Sequence, residues 1–254
     1  MKILFISPHP DDIEFACGST EAELVKNGHE VYQLCMTGGE YGVHEDEFKG
    51  ERISKIRRRE LKNATKVIGI KNVAFFGLFD GYAEYNKKHL GRLINYIKKI
   101  NPDVVFSPDP YFSVDHHNDH IKTGYLGYSA VKKLKKRPLL ILFYTHSPNF
   151  YIRCKYLHVA HQAFDEFTSQ GFANKLTKMF NTFYKALFGL ARKKLGLVDS
   201  YRIVDFNNER WKMNIKQKIL YILFSGGVGA AIPDRERYKP TPNELGLKEY
   251  RFKL

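Results

Sequence analysis

The sequence predicts an α/β fold: a mostly parallel sheet with helices on both faces, followed by a C-terminal helical elaboration. Three observations predict it. Short apolar runs alternate with longer segments of helical period from the start of the chain through residue 144. The runs are apolar on both faces, as strands held between two helix layers are. At 254 residues the chain is long enough to bury a sizeable core without staples.

Taken in order, residues 2–6 (Lys-Ile-Leu-Phe-Ile) form a first strand ended by Ser7-Pro8. Ala22, Leu24 and Val25 mark a helix over residues 19–26, closed by Asn27-Gly28, and residues 31–36 return as a second strand. Residues 51–68 read as a charged helix with Ile53, Ile56, Leu61, Ala64 and Ile68 near helical spacing and Gly69 as its stop. A third strand at 73–76 follows, then a helix at 90–100 ended by Asn101-Pro102, and a fourth strand at 103–106. A helix over 121–134, a strand over 139–144 and a helix over 156–167 complete the regular part. Beyond Pro138 the pattern loosens, and no repeat, low-complexity tract or linker divides the chain. One domain over residues 1–254 is expected, with a motif-bearing core at 1–170 and the elaboration at 171–254.

The formal net charge is +14, but residues 1–50 hold only 3 basic against 10 acidic side chains. The basic excess gathers in residues 52–71, in Lys132-Lys133-Leu134-Lys135-Lys136-Arg137 and in residues 175–194. These runs read as solvated helix faces, and no nucleic-acid partner is expected. Cys17, Cys35 and Cys154 lie far apart with no CxxC pair, which gives no disulfide framework or zinc ribbon and suits a reducing, cytoplasmic setting. The opening apolar run is too short for a signal peptide, and no later stretch approaches the roughly 18 apolar residues of a spanning helix.

In open α/β sheets, ligands gather outside the carboxyl ends of the strands, where the βα loops converge. Two chemical motifs fall there. His9-Pro10-Asp11-Asp12 follows the first strand, and Asp115-His116-His117-Asn118-Asp119-His120 follows the fourth. The first loop offers one imidazole and two carboxylates on a turn that Pro10 helps to fix; the second offers three imidazoles. Together they can give two histidines and one carboxylate to a divalent metal and leave one position open. A metal so held lowers the pKa of water toward neutrality, and the spare carboxylate can take its proton as the water attacks a carbonyl. Each loop alone has a plainer use: Asp11 or Asp12 as a helix cap, the histidines as surface residues. Their joint placement favours the metal.

His9-Pro10-Asp11-Asp12 with Cys17-Gly18-Ser19-Thr20, and His117-Asn118-Asp119-His120, resemble the PIG-L or LmbE-like family of zinc-dependent N-acetylglucosaminyl deacetylases. Thr37-Gly38-Gly39-Glu40, Arg57-Arg58-Arg59-Glu60-Leu61 and Phe79-Asp80-Gly81 agree in order. The likeness covers roughly residues 1–170, with a weaker echo around residues 196–206. It implies a Rossmann-like fold, zinc held by His9, Asp12 and His120, and Asp11 as general base. It makes His117 the group that stabilises the oxyanion and protonates the leaving amine, a role suited to an imidazolium, with Asp119 orienting it. Arg57 matches a substrate-binding arginine, and homo-oligomers are common in that family. Asn118 stands where the family usually has proline, so the loop is less rigid but loses no ligand. His116 could replace His117 if the register differed. Cys17 and Cys35 read as packed residues, Glu14 as a helix-start carboxylate that could approach the metal, and Glu40 carries no assignment.

Phe172, Leu176, Met179, Phe180, Phe183, Tyr184, Leu187, Phe188 and Ala191 recur at intervals of three and four, while Lys175, Lys178, Lys185, Arg192 and Lys193 fall elsewhere. Such a helix packs against the sheet or a neighbouring subunit, or lies on an anionic membrane surface. A second apolar contact is expected at residues 220–229. The expected function is hydrolysis of the N-acetyl group of an N-acetylglucosamine-containing molecule, whether free sugar, conjugate or glycolipid. The alternatives are an iron-dependent enzyme on the same two-histidine, one-carboxylate set, and a non-enzymatic binder of anionic surfaces.

Overall fold

The computed structural model describes residues 1–207 apart from 44, 115–116, 171–172 and 192–195, together with residue 215. The strands are β1 (Lys2–Ser7), β2 (Glu30–Thr37), β3 (Asn72–Leu78), β4 (Val104–Pro108), β5 (Leu139–Phe143), β6 (Phe150–Arg153) and β7 (Val198–Ile203). The helices are α1 (Asp12–Lys26), α2 (Glu51–Ile68), α3 (Lys87–Ile100), α4 (Asn118–Lys133), α5 (Leu157–Asp165) and α6 (Ala173–Ala191).

All seven strands form one sheet in the order β3-β2-β1-β4-β5-β7-β6. From β3 to β5 the neighbours are parallel; β7 runs antiparallel to both β5 and β6. Alternation along β1 divides the core. Leu4 and Ile6 face a layer with Leu90, Leu93 and Ile97 of α3 and Leu126 and Val131 of α4. Ile3 and Phe5 face the other, with Ile13 and Cys17 of α1, Leu61 and Ala64 of α2, and Phe164 of α5. Both faces of the parallel strands are therefore covered, as their unbroken apolar runs require.

The chain passes from β1 outward to β2 on one side and returns to place β4 on the other. This reversal opens a crevice at the carboxyl ends of β1 and β4, and both motif loops meet there.

Three features depart from the sequence reading. First, α1 begins at Asp12 rather than residue 19, because the polar motif residues of its first turn mask the Ile13, Ala16 and Cys17 spacing that packs it on the core. Second, β6 and β7 were not anticipated, and the helix expected over 156–167 stops at Asp165, before a 3-10 turn at Thr168–Gln170. Third, β7 belongs to the nominal elaboration yet lies within the sheet, between β5 and β6. His116, Phe172, Arg192, Lys193 and the apolar segment at 220–229 lie outside the described residues.

Candidate metal centre and active site

The β1 loop is shaped by backbone strain. Asp11 adopts φ 107°, a left-handed conformation that is costly for a residue with a side chain and persists only where neighbours enforce it. Arg57 enforces it by donating from Nη2 to the Pro10 carbonyl at 2.7 Å and to Asp11 Oδ2 at 2.6 Å. Room for that guanidinium comes from two glycines: a Cβ on Gly39 or Gly42 would lie 2.4 or 2.0 Å from Arg57 Nη1. Arg57 is buried and paired, so it positions Asp11 instead of lying in solvent.

On the facing loop, α4 approaches β4 closely because Gly124 and Gly127 face Pro108 and Ser107 with no side chain between them. His120 thereby reaches His9. Three ligating groups then face one another: His9 Nδ1 to His120 Nε2 at 3.2 Å, His9 Nδ1 to Asp12 Oδ2 at 3.3 Å, and His120 Nε2 to Asp12 Oδ1 at 3.4 Å. In a tetrahedral zinc site with bonds near 2.0–2.1 Å, neighbouring ligand atoms are about 3.3–3.4 Å apart. The spacings are of that size, although Asp12 presents a different oxygen to each histidine. His117 also stands within the 4.8 Å spread of the His9–His120 pair.

The opposite edge of His9 is acidic. Its Nε2 lies 3.1 Å from Asp80 Oδ1 and 3.2 Å from Asp119 Oδ2. A metal-ligating histidine characteristically hands its other ring nitrogen to a carboxylate, and here two are in reach. Burial disfavours a charged His9, but Asp80, Asp119 and Asp12 outweigh it and hold the ring well above its ordinary pKa. Burial also pushes Asp80 up, yet His9 and Arg57 keep it below the usual carboxylate range. Four carboxylates around so few cations make this a cavity that attracts a further positive charge.

Asp119 meets His117 through its backbone. Its carboxylate takes His9 and the backbone N–H groups of Gly81 and Ala83, while its own backbone N–H donates to His117 Nδ1 at 3.2 Å. With Nδ1 accepting, the proton of a neutral His117 ring sits on Nε2. Burial, then the charges of His9 and His120, push its pKa down to about 4, which favours that neutral form over an imidazolium. Asp11 moves the other way: burial raises it to about 6, against the pull of Arg57. A carboxylate tuned upward in this way is a competent base near neutrality.

Tyr144 was missed, and Asp80, noted only within the Phe79-Asp80-Gly81 motif, was given no role. Asp80 follows β3 and Tyr144 follows β5, so position at a carboxyl strand end was the available signal. Tyr144, at φ 53°, stacks on His120 with ring centroids 5.4 Å apart and donates from its hydroxyl to Asp12 Oδ1 at 3.2 Å. Glu40 braces Asp80 by accepting its backbone N–H at 3.0 Å. Glu14 faces away, accepting from Gln33 at 3.0 Å, and burial lifts its carboxyl to about 7. Cys17 and Cys35 are fully buried in the core layer. Lys185 reverses expectation: it is buried and ion-paired with Asp199.

The profile of the family described as PIG-L, GlcNAc-PI de-N-acetylase, matches residues 4–131, just over half of the chain. Diacetylchitobiose deacetylase of Thermococcus kodakarensis is 28% identical over 167 residues, 59% of this chain and 62% of that protein. A probable N-acetyl-alpha-D-glucosaminyl L-malate deacetylase 2 of Bacillus cereus is 31% identical over 145 residues, 54% of this chain and 65% of its own length. The match thus spans under two thirds of either relative. N,N'-diacetylchitobiose deacetylase from Pyrococcus horikoshii superposes with a TM-score of 0.75 at 26% identity, over 80% of this chain and 83% of that one. With both signature loops inside the matched region, this chain belongs to the PIG-L family.

Proposed function

We propose that this chain is a metal-dependent amidohydrolase that removes the N-acetyl group from an N-acetylglucosamine-containing molecule. The observation that carries the reading is the set of 3.2–3.4 Å separations among His9, Asp12 and His120, with Asp11 and His117 beside it. These three side chains would hold zinc, or iron, and that ion would polarise the amide carbonyl and acidify water. Asp11, held by Arg57, takes the water proton. His117 donates its Nε2–H to the carbonyl oxygen as negative charge develops there. As the C–N bond breaks, the amine receives the proton that Asp11 removed, leaving a free amino sugar and acetate. Family membership and the deacetylase names of the relatives support the same substrate type.

The domain boundaries follow the same reading. Because β7 sits inside the sheet, the described part of the elaboration shares one unit with the core, which supports reading residues 1–254 as a single domain. A lipid-surface contact through α6 is supported by the outward aspect of Leu176, Met179, Phe180, Phe183 and Leu190, each more than half exposed, between Lys175 and Arg192 in sequence. Among the described residues no helix is long and apolar enough to cross a membrane. Flotation with anionic liposomes at low salt tests that contact; protein left at the bottom of the gradient rejects it.

Acetate release from a panel of N-acetylglucosamine conjugates, with and without a chelator, tests the activity. Release that chelation abolishes and zinc restores is expected. Release that persists in Asp11→Asn and His120→Ala overturns the proposal.

A further inference from the structure

The two edges of the His9 ring face different surroundings. On the Nε2 edge lie the carboxylates Asp80 and Asp119. On the Nδ1 side, Asp12 and His120 form part of the wall of a cavity of about 420 Å³. Tyr144 and Phe15 continue that wall, and Phe183 and Leu187 of α6 bound it further out. Beyond Asp12 and His120, its charged members Lys185 and Asp199 are paired with each other and so present little net charge. The volume falls within the range that encloses small organic ligands and far exceeds what an acetyl methyl would fill.

A carbonyl held against Asp12 and His120 has two substituents, the amide nitrogen with its sugar and the acyl carbon. The wall is mostly apolar, with Phe15, Phe143 and Val198 among its members and only Asn181, Tyr184 and Ser200 as further polar ones, so a sugar ring with several hydroxyls would be short of hydrogen-bond partners there. An alkyl chain has no such need. We propose that this cavity is an acyl-chain subsite, and that the enzyme cleaves N-acyl amino sugars whose acyl group is longer than acetyl. The proposal rests on the amidohydrolase reading of the same centre. Water adds its oxygen to the acyl carbon, the C–N bond breaks, the amine takes both water protons and leaves as an ammonium, and an alkyl carboxylate leaves in place of acetate.

The deciding measurement is kcat/KM for amine release by the zinc-loaded protein across N-acetyl, N-butanoyl, N-hexanoyl and N-octanoyl glucosamine. Each buried methylene is worth up to roughly fourfold, so a rise of at least about tenfold from acetyl to hexanoyl is expected. Ala16 lines the cavity, and Ala16→Phe should flatten the rise. If that variant does not fold, the wild-type series decides alone. Octanamide should also bind at least about tenfold more tightly than acetamide by calorimetry, a readout independent of turnover. Amine release that is equal or falling along the series overturns the subsite and leaves the amidohydrolase reading intact. No release from any member, with octanamide still preferred, overturns that reading and leaves the subsite standing. Equal binding of the two amides together with no release overturns both.

Discussion

At the β1 and β4 loops, polar residues point where their local motif implies, into a crevice that they share. At α6 the outcome is the reverse. Of its polar stripe, Asn181 and Lys185 turn inward, to the Phe15 carbonyl and to Asp199, and Lys178 pairs with Asp165 at the surface, while Phe180 and Phe183 are 65% and 64% exposed. Both regions are amphipathic in sequence, yet burial follows the partners on offer. The loops meet carboxylates and imidazoles contributed by the adjoining strands. For α6, the surface beneath holds a buried Asp199, and Lys185 supplies the cation that keeps that charge from being stranded.

The largest expected effect separates chemistry from folding. Asp11→Asn should lower the rate of acetate release by about 10²–10⁴-fold in a variant that still folds cooperatively, because the amide keeps an oxygen to accept from Arg57 but loses both the proton acceptor and the charge of that pair. A small loss of rate would move the base elsewhere and weaken the contrast between the two regions.

Next comes the anchor of α6. Lys185→Met strands the buried Asp199 without its cation and should destabilise the fold by about 3–5 kcal/mol in chemical denaturation. The double variant Lys185→Met with Asp199→Leu should recover much of that loss. If the single variant unfolds like wild type, α6 is not held by its polar stripe.

A smaller effect is expected on the opposite face of α1. Burial and then the charge of Glu14 hold the Glu21 carboxyl well above its ordinary pKa. The folded state therefore favours the protonated acid, and the stability this confers is complete below the unfolded pKa and is lost as pH rises through the folded one. Glu21→Gln should gain stability over wild type as pH increases from 4 to 8. Thermal unfolding at several pH values would show it, and a difference that does not change with pH would contradict the sign.

The smallest effect is on the outward face. Phe180→Ser should change stability by no more than about 0.5 kcal/mol, since little of this side chain is removed from water. A large loss would mean that the apolar face is covered after all, for example by a second copy of the chain.

Much of the fold and the site was legible in the sequence. The five parallel strands announced themselves as apolar runs closed by turn residues. Their alternation with helices put both motif loops at carboxyl strand ends before any coordinates were known. The start of α1 was not legible, because Asp12, Glu14 and the strained Asp11 disguise its first turn as loop. Nor was β7, whose polar Asp199, Ser200 and Arg202 break the strand pattern in order to serve Thr20, Lys185 and Asp109. Arg57 looked like one more charge in a basic helix, and only its burial beneath Gly39 and Gly42 shows what it holds.

By itself the sequence determined the α/β architecture and the residue types at the centre, since periodicity, turn chemistry and motif spacing are local properties. Only the tertiary structure decided which edge of His9 faces Asp12 and His120 and which faces Asp80 and Asp119, that burial and neighbouring charge pull the His117 pKa down, and that α6 presents its apolar side outward. Those outcomes depend on groups brought together from opposite ends of the chain, and the balance of burial, charge and hydrogen bonding among them exists only once the sheet has assembled.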